Sequence, residues 1–100
     1  MGNVRRKQIP NWLRKHRKRW GYRQKEVAEM LGFKSANRLS RWEKGISVPS
    51  VPNLLKLGII YATLTDQLYH ELLIQLRPAL NKRKEEVLRK RKAQYNTKTK

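Results

Sequence analysis

The chain reads as all-α, and three observations carry that expectation. Apolar residues recur at three- and four-residue spacing from Trp12 to Leu76, the period of a helix that buries one face. Glycine and proline punctuate the pattern at Gly21, Gly32, Gly45, Pro49 and Pro52, where helices end or loops begin. The stretch RQKEVAEMLGFKSANRLSRWEKG, Arg23 to Gly45, reads as two short helices around a tight turn. Together these predict a compact five-helix domain over residues 11–76. A basic extension, helical or disordered, follows over residues 77–100.

Residues 1–10 carry consecutive basic residues without helical patterning and read as a flexible basic arm, closed by Pro10. Asn11 can cap a first helix over residues 12–20, with Trp12, Leu13, His16 and Trp20 at helical spacing and Gly21 at its end. The tryptophans suit core or core-edge positions better than base stacking. A second helix over residues 23–31 places Val27, Ala28 and Leu31 on one face. Gly32 closes it, and the Ser35 hydroxyl is the expected N-cap of a third helix running through Lys44. On a wheel of about 100° per residue, Arg38 and Arg41 share the sector of Asn37, while Leu39 and Glu43 lie opposite. Trp42, towards the border, is expected to pack over the next helix.

After the loop of residues 46–52, Ser50 or Pro52 opens a fourth helix. Its Leu54, Leu57 and Tyr61 repeat at helical spacing, and Leu55, Ile59 and Ile60 broaden the apolar surface. A break at Ala62 to Thr63 precedes a fifth helix, where Thr63 and Asp66 have capping-box spacing. Its stripe of Leu64, Leu68, Leu72, Leu73 and Leu76 is longer than a domain of this size needs, and Pro78 is expected to interrupt or end it. Beyond it, Leu80, Val87, Leu88 and Tyr95 form a thin stripe, too weak to fold independently. That tail packs on a partner, lies along a polyanion or stays disordered, and composition predicts disorder from Asn96 onward.

The net charge of +18 is unevenly laid out. Residues 1–25 hold ten Lys/Arg and no acid, residues 26–76 hold five of each sign, and residues 77–100 hold ten basic against two acidic. A neutral centre with cationic ends points to a polyanion, because each neutralised phosphate releases counterions. Membrane is disfavoured: the longest apolar run, near Leu57 to Ala62, is too short to span a bilayer. No secretory signal pattern follows the first charges, and Arg6 stands where myristoylation would want Ser or Thr, so a cytoplasmic setting is expected. With no cysteine, neither a disulfide nor a thiolate metal site is expected. His16 and His70 suit solvated or packing roles. No phosphate loop, nucleophile elbow or carboxylate constellation stands out, so neither cofactor nor catalysis is expected.

Five features in order resemble the lambda-repressor-like family of helix-turn-helix transcription regulators, the Cro and xenobiotic-response-element type. They are LRKHR at Leu13 to Arg17, RQKEVAEMLG at Arg23 to Gly32, SRWEKG at Ser40 to Gly45, Pro49, and DQLY ending at Tyr69. The turn, Gly32 to Ser35, looks one residue longer than the commonest spacing in that family. The resemblance implies double-stranded DNA as partner, with the helix of residues 35–44 in the major groove, where Asn and Arg make bidentate bonds to purine edges.

Asn37 and Arg41 are the expected base readers, with Arg38 between base and phosphate and Lys34, Ser35 and Lys44 on phosphates. Arg23 and Gln24 open helix two; the resemblance puts Gln24 on a phosphate, whereas its residue type alone equally suits a solvated polar cap. It also implies an ion pair between Arg17 and Glu43, and a homodimer for which Tyr69, Leu72, Leu73 and Leu76 are the candidate interface. The basic arm either reaches the minor groove or adds charge alone. A repressor of bacterial, phage or mobile-element type is the expected role. The antitoxin of a toxin–antitoxin pair and a small basic RNA-binding or ribosome-associated protein are the alternatives.

Overall fold

The computed structural model describes residues 7–98, and every regular element among them is a helix. In chain order these are α1 (Leu13–Trp20), α2 (Gln24–Met30), α3 (Asn37–Glu43), α4 (Val51–Ile60), α5 (Thr65–Leu68) and α6 (His70–Lys98). Leu13, Val27, Leu31, Leu39, Trp42, Leu57, Tyr61 and Leu68 form one core cluster, so each of the first five helices contributes to it. Full burial of each such leucine contributes about 1.5–3 kcal/mol.

Local chemistry sets the boundaries. Gly32, at φ +83°, closes α2 while the Phe33 amide donates to the Ala28 carbonyl at 2.8 Å. The third helix starts later than expected, with Ala36 rather than Ser35 at its N-cap. The Ser35 hydroxyl accepts from the Asn37 amide at 3.4 Å, two residues on, and this local bond sits with the bend of residues 34–36 instead of opening the helix. Ser50 does cap α4, accepting from the Asn53 amide at 3.3 Å. Ala62, at φ +51°, makes the expected break after α4. No Thr63 capping box forms: Leu64 is the N-cap of α5, without a side-chain cap bond.

The C-terminal part departs furthest from expectation. The single fifth helix becomes the one-turn α5 and the 29-residue α6, and α6 continues across Pro78. Proline removes the bond to the carbonyl four residues back, that of Ile74. Ile74 and Leu76 are about half exposed, so water can take up the freed carbonyl. Strong helix formers then continue the element, with Glu85 and Glu86 each four residues before a basic partner, Arg89 and Lys90. Composition predicts disorder from Asn96, but the helix carries on through Asn96 and Thr97, poor helix formers added to the end of an already formed helix, to Lys98; Thr99 and Lys100 lie outside the described residues. From Arg77 to Tyr95 every residue is exposed.

The expected arm is tied down at its end. The Ile9 amide donates to the Gly45 carbonyl at 2.8 Å, and residues 1–6 lie outside the described residues. Asn11 links the same two regions. Its amide donates to the carbonyls of Ile9 and Trp42 at 3.0 and 3.1 Å, while its oxygen accepts from the Leu13 amide at 3.1 Å. Trp12, without a side-chain cap bond, stands at the N-cap of α1 in place of the expected Asn11, so Asn11 braces the residue before the helix and satisfies a carbonyl at the end of α3.

A second tie crosses the same helices. Arg17 of α1 meets Glu43 of α3 in a fork, Nε to Oε2 at 2.7 Å and Nη2 to Oε1 at 3.1 Å. The side chains are 11% and 3% exposed, so the charges are largely withdrawn from water. Arg17 also donates from Nη1 to the Tyr22 carbonyl at 2.9 Å, and Gln24 Nε2 donates to Glu43 Oε1 at 2.9 Å. The hydrogen bond to Glu43 raises the Arg17 guanidinium further above its ordinary range, against the opposing effect of burial.

Three outcomes follow for stability. Glu43→Gln strands the Arg17 charge and is expected to cost about 3–5 kcal/mol in urea unfolding, whereas Arg17→Met/Glu43→Met together should cost less than the two single changes summed. Gly45 has φ +75°, and a Cβ there would meet the Ile9 carbonyl oxygen and, at 2.7 Å, the Ile9 nitrogen. Gly45→Ala should therefore exceed the roughly 1–3 kcal/mol of a strained backbone; Gly21→Ala, at φ +74° with open space around it, should not. His16 stacks on Tyr61 at 6.4 Å, and burial, then Arg19 and Lys15, hold its imidazole below the ordinary 6.5. A lowered folded pKa gives stability that is present above pH 6.5 and lost as pH falls. Thermal melts from pH 7.5 to 5.5 should fall, and His16→Gln should flatten that dependence.

Candidate nucleic-acid interface

α3 is divided by burial. Leu39 and Trp42 are core residues at 0% and 5% exposure, and the Glu43 carboxylate is held by Arg17 and Gln24. Trp42 packs edge-on against Phe33, with ring centroids 5.9 Å apart. Asn37, Arg38, Arg41 and Lys44 are exposed, as are Lys34 and Ser35 in the turn before the helix. Because the inward residues and the ion pair fix the roll of α3 on the domain, the outward set is displayed in one orientation.

One side chain of this face has a local partner, and another sits where the helix favours its charge. The Arg38 guanidinium lies over the Phe33 ring, 4.8 Å from its centroid, which restricts a long side chain before any ligand arrives. Arg41 stands in the last turn, with Lys44 as C-cap, where cations complement the negative end of the helix. Arg23 is exposed, and its backbone amide donates to Glu26 Oε1 at 2.7 Å, so that Glu26 caps the first turn of α2.

Gln24 is half-buried and spends one amide hydrogen on Glu43, leaving its second hydrogen and its oxygen. It lines a recess of about 310 Å³ together with Gln8, Arg14, Arg17, Ser40 and Lys44. The tertiary structure thus brings Arg14 and Gln8 beside residues already singled out. Arg14 precedes Arg17 by three positions, so their shared helical face was legible; the approach of Gln8 depends on the docking of Ile9 on Gly45 and was not.

The other residues singled out from the sequence lie elsewhere. Tyr69, Leu72, Leu73 and Leu76 line an apolar groove of about 380 Å³ with Val48, Pro49 and Leu54. Tyr69 also packs on the core, and burial pushes its phenol up to about 12. On α4, Val51, Leu55 and Ile59 stand in a row at four-residue spacing and are 69%, 55% and 79% exposed, a ridge of which the sequence pattern counts Leu55 and Ile59 to the apolar surface of the helix and Val51 to the preceding loop. His70 tilts against Trp12 at 5.7 Å, and Trp20 donates from Nε1 to the Tyr61 carbonyl at 2.8 Å. No grouping of potential metal ligands occurs among the described residues, and no helix among them is long and apolar enough to cross a membrane.

A protein-family model described as helix-turn-helix matches residues 13–62, from the start of α1 to just beyond α4, and leaves α6 outside. No curated protein and no solved structure matches the chain. With half the chain covered, a helix pair set around the Gly32 turn, and an outward basic face on its second member, the chain belongs to the lambda-repressor-like, Cro/C1-type helix-turn-helix family of DNA-binding regulators.

Proposed function

We propose that the protein is a sequence-specific transcriptional repressor that acts by occupying an operator in double-stranded DNA. The division of α3 carries this reading: a buried, ion-pair-locked side holds the helix while Asn37, Arg38, Arg41 and Lys44 face outward. A seven-residue helix so mounted fits the major groove, where the amide of Asn37 pairs with adenine and the fork of Arg41 with guanine. Arg38 bridges base and phosphate. Lys34, Ser35, Lys44 and Arg23 hold the backbone, joined by Gln24 through its free amide hydrogen and by Arg14 at the recess beside it. Residues 11–76 form the binding domain.

The protein acts as a homodimer on two half-sites, with Tyr69, Leu72, Leu73 and Leu76 at the interface. The apolar groove supports this, being lined by neutral residues apart from Asp66, so like charges do not oppose the approach of a second copy.

The experiment is selection from a random duplex pool at about 0.15 M salt, followed by titration of variants on the enriched duplex and on an unrelated one. Asn37→Ala and Arg41→Ala should each lose about 1–3 kcal/mol on the enriched duplex and relax base choice. Lys44→Ala should weaken both duplexes alike. Equal losses on both duplexes for all three variants would overturn base reading by α3, and tighter binding to RNA than to duplex would transfer the function to RNA.

A further inference from the structure

α6 continues for about five turns beyond the folded domain, and its distal part is chemically unlike the neutral centre of the chain. Between Arg77 and Lys92 it carries eight basic residues and two acidic ones, all exposed. The charges are sorted by face. Arg77, Lys84 and Arg91 recur every seven residues and so form one shallow stripe, with Leu80 and Val87 alongside and Arg83 and Lys90 on the far side of those two. Glu85 and Glu86 fall on the other side of the helix, four residues before Arg89 and Lys90, where they support the helix without neutralising the stripe. Arg17–Glu43 is the one ion pair among the described residues, so these cations are unspent.

We infer that residues 77–95 of α6 form a second nucleic-acid contact, a sequence-independent clamp on the phosphate backbone of the duplex whose bases α3 reads; it rests on the reading of α3 given above. Charge complementarity selects this occupant. A second copy of the same helix would bring two like-charged stripes together. A coiled-coil partner would need a continuous seam, and the positions that would complete the one through Leu76, Leu80 and Val87 are Arg83, between Leu80 and Val87, and Lys90 after it. Leu80, Val87, Leu88 and Tyr95 are too few over nineteen residues for a helix that lies in a bilayer surface. Phosphates ask only for cations on one rigid face. At about 1.5 Å rise per residue the segment is about as long as eight base pairs of duplex, each carrying two phosphate charges.

The test is the salt dependence of binding by the full chain, compared with Arg77→Gln/Lys84→Gln/Arg91→Gln. Glutamine keeps helix propensity, and the three side chains are exposed, so circular dichroism and melting should be unchanged. A charge-keeping triple, Arg77→Lys/Lys84→Arg/Arg91→Lys, serves as the conservative control. Removal of the stripe should lower the slope of log K against log salt by about 2 to 3, equally on the enriched duplex and on an unrelated one, with the ratio between the two retained. The control should keep the original slope.

An unchanged slope overturns the clamp, whatever α3 does. An unchanged slope with loss of binding to phosphatidylserine vesicles overturns it in favour of a membrane surface. A shift in oligomeric state on gel filtration, with the slope unchanged, overturns it in favour of self-association. The two readings fail separately. Arg41→Ala tests α3 through the ratio between duplexes, and a chain without base preference that still loses slope in the glutamine triple keeps the clamp and drops base reading.

Discussion

The carboxylate of Glu43 is the point on which the display of α3 depends. It sits at the end of the helix whose opposite face is offered to solvent, and three donors converge on it from α1 and from the first residue of α2. A buried ion pair adds little net stability compared with an apolar contact of the same volume, because desolvation offsets most of the attraction. Its contribution here is directional. A leucine in place of Glu43 could slide in the core, whereas a fork of two bonds and a third from Gln24 accept one roll of α3. Asn11 acts in the same sense at the backbone, tying the end of α3 to the start of α1.

That constraint explains how a domain with a small core can present long, mobile side chains in a defined way. The core residues set where α3 lies, and the polar ties set which side of it faces out. Arg38 is steadied further by the Phe33 ring, which packs from beneath on Trp42. Gln24 joins the two tasks, one amide hydrogen orienting Glu43 and the remaining polar atoms turned to the recess shared with Arg14 and Lys44. The ion pair and the outward face are therefore parts of one arrangement.

Charge is distributed in keeping with this division of labour. The central residues, 26–76, are neutral overall, which lets the core, the apolar groove and the α4 ridge exist without self-repulsion. The excess is carried by the N-terminal arm, by the exposed Arg14, Lys15, Lys18 and Arg19 of α1, and by the distal part of α6. Along α6 the two acids sit where they offset repulsion within the helix, and the stripe of Arg77, Lys84 and Arg91 is left uncompensated.

Much of the fold was legible because its signals are local. Apolar spacing gave α1, α2 and α4; Gly32 and Gly45 marked the ends of α2 and α3; Ser50 capped α4 as its residue type suggests. The alternation of Leu39 and Glu43 with Asn37, Arg38 and Arg41 marked the two faces of α3. Ser35, Thr63 and Pro78 misled for one reason: each expresses a local preference that neighbouring structure can outweigh. Ser35 bonds its own turn, Thr63 yields the cap to Leu64, and Pro78 loses one hydrogen bond in a helix whose surroundings are wet.

The sequence by itself therefore determined the helical class, the turn and the polarity of α3, which are matters of period and residue type. Only the tertiary structure decided what meets across distance: Gln8 and Arg14 beside Lys44, Ile9 on Gly45, Asn11 on the end of α3, and the α4 ridge left bare. Those depend on how helices far apart in the chain are set against one another, and no local pattern encodes that.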